Sequence, residues 1–292
     1  MALQTPVALV DRQQWLDPVA DRMQKGILAV WEAAGAAGRR AKNFLHGVWL
    51  GHPLHPVLTD VPIGAWTVTL ALDAMDSIGG RERFARGADA ALTLGLVGAV
   101  GAAATGVTDW GHTDGRARRI GLMHGMLNST AAVLYLTSLV LRRRGARAEG
   151  QGFAMLGFGV SMAAAYLGGN LVYDNRVGVN HAEEPRAPGD FIPVLADGEL
   201  AEGQMRRVDA GGVSVLVARR GGAVFAVAEV CSHMGGPLAE GRLEGDTVRC
   251  PWHGSRFSLE DGHVVDGPAT FPQPCFDTRI RAGRIEVRAA RH

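Results

Sequence analysis

The chain has 292 residues, 47% of them hydrophobic and 20% charged, with a formal net charge of +1, 40 glycines and three cysteines. That balance excludes a wholly disordered chain, a disulfide scaffold and a general electrostatic hold on nucleic acid, which needs a basic stripe. Two domains are expected at this length, and a mean hydropathy of +0.05 fits an oily half averaged with a wet one. In chain order, residues 1–50 read as an amphipathic N-terminal segment with no cleavable signal peptide. Within it, Pro18–Ala34 sets Val19, Met23, Ile27, Val30 and Trp31 along one side of a helix.

Residues 51–175 read as four transmembrane helices. No charge occurs in Ala90–Thr108, Ile120–Leu141 or Gly150–Tyr173, and each run is long enough to cross a hydrocarbon core of ~30 Å. An earlier run, Leu54–Met75, contains Asp60 and Asp73 but is apolar over Val61–Leu72. Stripes of small residues every fourth position (Ala91, Gly95, Ala99, Ala103; Gly157, Ser161, Ala165, Gly169) suit close helix packing in lipid. Lys and Arg divide seven to each face, Arg81 among them, so charge does not set the orientation.

Residues 176–190 carry Pro185 and Pro188 and read as a linker. From Phe191 to residue 292 short β-rich runs follow one another: Val213–Ala218, Ala223–Ala228, Thr247–Arg249, Phe276–Ile280 and Arg284–Val287. They suggest a small antiparallel sandwich or barrel. The expected fold class is therefore an all-α transmembrane four-helix bundle followed by an all-β domain.

Two short motifs carry the chemistry. Cys231-Ser232-His233 and Cys250-Pro251-Trp252-His253 stand 16 residues apart, with Gly235, Gly236 and Gly254 beside them. Each supplies a thiolate and an imidazole on a tight turn, and glycine lets main-chain N–H groups approach sulfur. Zinc also accepts two Cys and two His, but the long spacing and the sheet context do not suit a zinc finger. This stretch resembles the Rieske 2Fe–2S domain over roughly the last hundred residues.

The resemblance implies a 2Fe–2S cluster with Cys231 and Cys250 on one iron and His233 and His253 on the other. Two imidazoles in place of two thiolates raise the potential to within about −150 to +300 mV. High-potential members carry a disulfide between the loops and a Tyr donor near sulfur. Here those positions are Gly236, Trp252 and Phe257, which implies the ferredoxin-like, disulfide-lacking class and suits a reducing cytoplasm.

The run His52-Pro53-Leu54-His55-Pro56, followed by Thr59-Asp60-Val61-Pro62, resembles a bacterial family of four-helix membrane domains of unknown function (type 2231). His52, His55, His112 and His124 form a candidate second site, for haem b or another metal; His55 and His124 should lie at similar depth. The leading expectation is a membrane-anchored iron–sulfur protein carrying single electrons, multi-pass in the inner membrane with its Rieske domain cytoplasmic. Its partners would be the lipid bilayer and a redox protein or quinone. The alternative is a membrane oxidoreductase with a haem, non-haem iron or quinone site in the bundle linked to the cluster.

Overall fold

The computed structural model describes residues 6–79, 83–182 and 189–290. Arg81 of the first connector and Pro185 and Pro188 of the expected linker lie outside the described residues. The chain divides into two compact units, Met1–Gly38 with Leu54–Val177, and Arg39–Pro53 with Gly178–His292.

The first unit is helical. Short α1 (Pro6–Asp11) and α2 (Leu16–Ala33) precede α3 (Gly35–His46), whose C-terminal part belongs to the second unit. Four long helices follow: α4 (Leu54–Gly79), α5 (Ala85–Trp110), α6 (Gly115–Arg143) and α7 (Arg147–Tyr173). α4 pairs with α5, and α6 with α7. Three of the four, α4, α5 and α7, are long and apolar enough to cross a membrane. The expectation of four apolar spans is thus corrected to three. α6 lacks charge over its middle but carries His124, Asn128, Ser129, Thr130, Thr137 and Ser138. Freedom from charge is not apolarity.

Small residues face inward and large apolar ones outward. On α5, Ala88, Leu92, Gly95 and Ala102 are buried, while Val97 and Val100 are 66% and 72% exposed. That inversion of a water-soluble helix suits a lipid surround. A Cβ on Gly95 would lie 2.2 Å from the Trp66 indole, and one on Gly157 3.2 Å from the Tyr135 ring. Glycine here makes the slots that let the two rings stack at 4.0 Å. Arg118 and Arg119 on α6 pair with Asp11 of α1 and Asp17 and Asp21 of α2, and so fasten the amphipathic segment to the bundle. At its far end, buried Arg142 of α6 pairs with Asp73 of α4 and Asp89 of α5.

The second unit is all-β. Six strands form an antiparallel sheet in the order β1 (Ile192–Ala196), β10 (Arg284–Ala289), β9 (Cys275–Arg281), β4 (Ala223–Ala228), β3 (Ser214–Arg220), β2 (Met205–Asp209). Four short strands, β5 (Arg242–Glu244), β6 (Thr247–Arg249), β7 (Arg256–Ser258) and β8 (Val264–Asp266), make a second antiparallel sheet. Because side chains alternate along a strand, β3 serves two cores. Val215 and Val217 pack with Val208, Ala226 and Ile285, and Leu216 and Ala218 pack on the other face with Val227, Val248 and Phe257. Cys231 and Cys250 belong to this second core.

Candidate metal centre

Three loops of the β unit meet at its second core. The first, Glu229–Pro237, links β4 to β5; the second, Cys250–Ser255, links β6 to β7; the third, Gly267–Pro274, links β8 to β9. The two cysteine loops share one backbone design. The N–H of each Cys donates to the carbonyl five residues on: Cys231 to Gly236 at 2.9 Å and Cys250 to Ser255 at 2.8 Å. Each Cys carbonyl accepts from the N–H four residues on, Gly235 at 2.9 Å and Gly254 at 3.2 Å. Both glycines have φ near +78°, the left-handed conformation that other residues resist. The sequence shows CxH against CxxH, yet the turns are the same turn with the His displaced by one residue.

This geometry brings all four motif residues together. Cys231 and Cys250 are 1% and 4% exposed, and their sulfurs hydrogen-bond each other. That bond, reinforced by burial, pushes the Cys231 thiol well up, while accepting it draws the Cys250 thiol down. The N–H groups of His233 and Met234 point at the Cys231 sulfur, and those of Trp252 and His253 at the Cys250 sulfur. His233 and His253 are only half-buried, with ring centroids 5.0 Å apart and planes at 85°. Among the described residues no group of three or more His, Cys, Asp or Glu side chains is set to hold a single ion. The donors come as two pairs, thiols inside and imidazoles at the surface.

Gly236 is where a side chain would foul the site: a Cβ there would lie 2.9 Å from the Cys250 sulfur and 3.1 Å from the Trp252 ring. The three cysteines are free, so the loops are braced by hydrogen bonds instead. Gln273, 2% exposed, donates to Ala228 O at 2.8 Å and Val230 O at 2.5 Å and accepts from Ser232 N at 3.0 Å. Ser232 Oγ donates to Phe271 O at 2.7 Å, and Ser255 Oγ accepts from Ala269 N at 2.9 Å. The third loop therefore holds both cysteine loops from behind. Cys275, half-buried, donates weakly to Gln273 O, and burial pushes its thiol up to about 11.

Residues 39–53 support that third loop in turn. Asn43 accepts from Gly267 N at 3.0 Å and donates to Val265 O, and Lys42 reaches Gly267 O and Asp266. His46 is fully buried against Gly267. Burial first, then the Lys42 charge, lowers its pKa to about 3, with Asp266 pulling the other way. A base whose folded pKa is depressed stabilises the fold above its free value of 6.5, and that stability is lost as pH falls towards 3. Acidification from pH 6.5 to 4.5 should cost the β unit on the order of 2 kcal/mol through this residue. In His46→Leu the slope of denaturation midpoint against pH over that window should flatten; an unchanged slope would refute the assignment.

Of the four histidines of the expected second site, the structure brings two together, edge to face. The rings of His55 on α4 and His124 on α6 are 6.4 Å apart at 88°. His55 Nδ1 donates to Ala102 O at 2.9 Å and His124 Nδ1 to Ala164 O at 2.8 Å. His112, in the turn after α5, instead donates to Thr108 O of that helix at 3.3 Å, and exposed His52 donates to Pro53 O at 3.1 Å.

Sequence reasoning missed Gln273, Ser232, Asn43 and His46. The one available signal was a glutamine set between two prolines, Pro272-Gln273-Pro274, inside a region otherwise read as turn.

Comparison with known proteins places these features. Residues 190–277 match the family described as Rieske [2Fe-2S] domain, and residues 51–181 the family described as Predicted membrane protein (DUF2231). The chain is 36% identical over 93 residues to apoptosis-inducing factor 3 of Mus musculus, covering 32% of this chain and only 15% of that protein. It is 33% identical over 98 residues to ferredoxin CarAc of Metapseudomonas resinovorans, covering 33% of this chain and 92% of the ferredoxin. A solved structure, the ferredoxin of carbazole 1,9a-dioxygenase from Nocardioides aromaticivorans IC177, is similar at 26% identity, with 35% of this chain and 100% of that one covered and a TM-score of 0.34.

Proposed function

This chain belongs to the Rieske [2Fe-2S] family, and we propose on that premise that it is a membrane-anchored iron–sulfur protein carrying single electrons. Cys231 and Cys250 hold one iron, and His233 and His253 hold the other. The observation that carries the reading is the asymmetry of burial, with sealed thiols and half-open imidazoles. The donor set fits the cluster. Two imidazoles sharing one ion near-tetrahedrally, with bonds of about 2.0–2.1 Å, have centroids about 5 Å apart, and 5.0 Å is found. Two pairs of donors suit two irons whose bridging sulfides complete their coordination, rather than a single four-coordinate ion.

The bound cluster supplies a centre that takes up and releases one electron at a time. The chain's own residues do the rest. N–H groups aimed at the two sulfurs stabilise added negative charge. Leu238, Phe257 and Leu259 keep water from the thiol side. The imidazole edges, next to Trp252 at 57% exposure, offer the approach for a redox partner protein. A lipid-borne quinone would have to reach the same edge.

The apolar helices α4, α5 and α7 anchor the chain in the inner membrane. α6 is tied to α5 and α7 by the connectors 111–114 and 144–146, and we read it as a fourth crossing despite its polarity. Its 29 residues span about 43 Å at 1.5 Å each. The unbridged thiols suit a reducing compartment, which supports a cytoplasmic Rieske domain. The family comparisons support the 2Fe–2S cluster; they lend no support to haem b.

Anaerobic titration of the full chain, followed at the cluster's visible bands, tests the carrier reading. One electron per cluster should be taken up and passed whole to a one-electron acceptor. Turnover of an organic substrate by the chain alone would instead make it an enzyme.

A further inference from the structure

The helical unit is a duplicated hairpin. An offset of 69 residues relates α4 to α6, and one of 62 relates α5 to α7. His55 matches His124, Trp66 matches Tyr135, Thr69 matches Ser138, Gly95 matches Gly157, and Gly106 matches Gly168. The contacts repeat with the sequence. Thr69 donates to Ala88 O and Ser138 to Gly150 O; Trp66 fills the Gly95 slot and Tyr135 the Gly157 slot. Equivalent residues of the two halves also meet each other: Trp66 stacks on Tyr135, and Asp73 pairs with its equivalent Arg142. Such self-contacts lie on an internal pseudo-two-fold axis. His55 and His124 meet there too, as a pair that the two halves share unaltered.

Each ring is held in the same way. The Nδ1–H is committed to a carbonyl four residues before a glycine: Ala102 and Gly106 for His55, Ala164 and Gly168 for His124. A Cβ on Gly106 would lie 2.7 Å from the His55 ring, and one on Gly168 3.0 Å from the His124 ring. A neutral imidazole whose Nδ1 donates keeps its lone pair on Nε2. That is the tautomer, and the carbonyl support, of a metal-ligating histidine. Asn128 Nδ2 lies 3.1 Å from His124 Nε2, which marks Nε2 as the acceptor; Asn128 must turn aside for the same lone pair to bind a metal.

The spacing excludes a direct hydrogen bond between the rings and leaves the width that a shared ion needs. Ring nitrogens lie about 1.2 Å from their centroid, so at 6.4 Å no nitrogen of one ring comes closer than about 4 Å to one of the other. A direct hydrogen bond needs about 3 Å. Two bonds of about 2.0–2.1 Å to one ion placed between the rings span about 4 Å.

We propose that His55 and His124 are the two protein ligands of a metal site on the pseudo-two-fold of the helical unit, which would take an iron or copper centre, as haem iron or as a bare cuprous ion. The proposal is independent of the Rieske cluster. His52 and His112 are not part of it.

The test uses the full chain in detergent or nanodiscs: wild type, His55→Gln, His124→Gln, the double variant, a His52→Ala control and Cys250→Ala, which removes a cluster ligand. Glutamine keeps an N–H for the Ala102 or Ala164 carbonyl, so the helices should remain packed. Each is incubated with hemin, or with cuprous ion under ascorbate, then desalted and read by Soret absorbance and by metal analysis. Near one equivalent of haem or of copper should remain on wild type, His52→Ala and Cys250→Ala. It should fall at least tenfold in each glutamine variant while their Rieske visible spectrum is unchanged. A Soret band identifies haem iron, and copper without one the bare ion. No retained haem or copper on wild type, or retention in the double variant, overturns the proposal. Loss of the Rieske spectrum in Cys250→Ala alone bears only on the cluster.

Discussion

Cys250→Ala yields a full-length chain without the visible absorbance of an iron–sulfur cluster, whereas His253→Cys keeps a cluster and lowers its midpoint potential. The first outcome follows because Cys250 lies in the core with Cys231, and no other thiol is placed to replace it; Cys275 bonds to Gln273 O instead. The second follows from charge. A thiolate in place of a neutral imidazole makes the centre more negative and disfavours a further electron. All-cysteine plant-type ferredoxins lie near −400 mV, against about −150 to +300 mV for mixed ligation. The shift expected for His253→Cys is about 100 mV or more downward. Protein-film voltammetry checks the shift. An unchanged potential would remove His253 from the ligand set.

Gln273→Leu should destabilise the β unit by about 3 kcal/mol. The side chain is fully enclosed and makes three hydrogen bonds, to Ala228 O, Val230 O and Ser232 N. Leucine is close in size but satisfies none of them, and each buried polar group left unmatched costs ~1–3 kcal/mol. Because Ser232 sits between Cys231 and His233, the loss falls on the ligand loop. Guanidinium denaturation followed at the cluster absorbance should show a lower midpoint and faster bleaching. A change below about 0.5 kcal/mol would mean that the third loop does not brace the site.

The proposed ligand quartet was legible because metal chemistry restricts residue type and spacing together. Strands β4 and β6 were read to the residue, since Ala223–Ala228 and Thr247–Arg249 are bounded by turn residues. Strands β1, β2, β5, β7 and β8 were missed; the last three have three residues each, too few to display an alternation. The helices appeared as charge-free runs, but the polarity of α6 was masked by counting charge alone. The bracing by Gln273 joins residues 41 to 45 positions apart, and the docking of Asn43 and His46 joins residues more than 200 apart. No local pattern encodes such a contact. The hairpin duplication left a trace in the two stripes of small residues, Gly95 and Gly157 among them. It becomes evident only once paired side chains are seen to repeat their contacts.

The central claim, a two-iron cluster held by Cys231, Cys250, His233 and His253, is tested most directly by EPR and ENDOR of the dithionite-reduced full chain, with 15N-histidine labelling. The account predicts a paramagnetic 2Fe–2S signal in which two imidazole nitrogens couple to the cluster, one of them lost in His253→Cys. A colourless chain carrying zinc, or a cluster signal with no histidine nitrogen coupling, would contradict it.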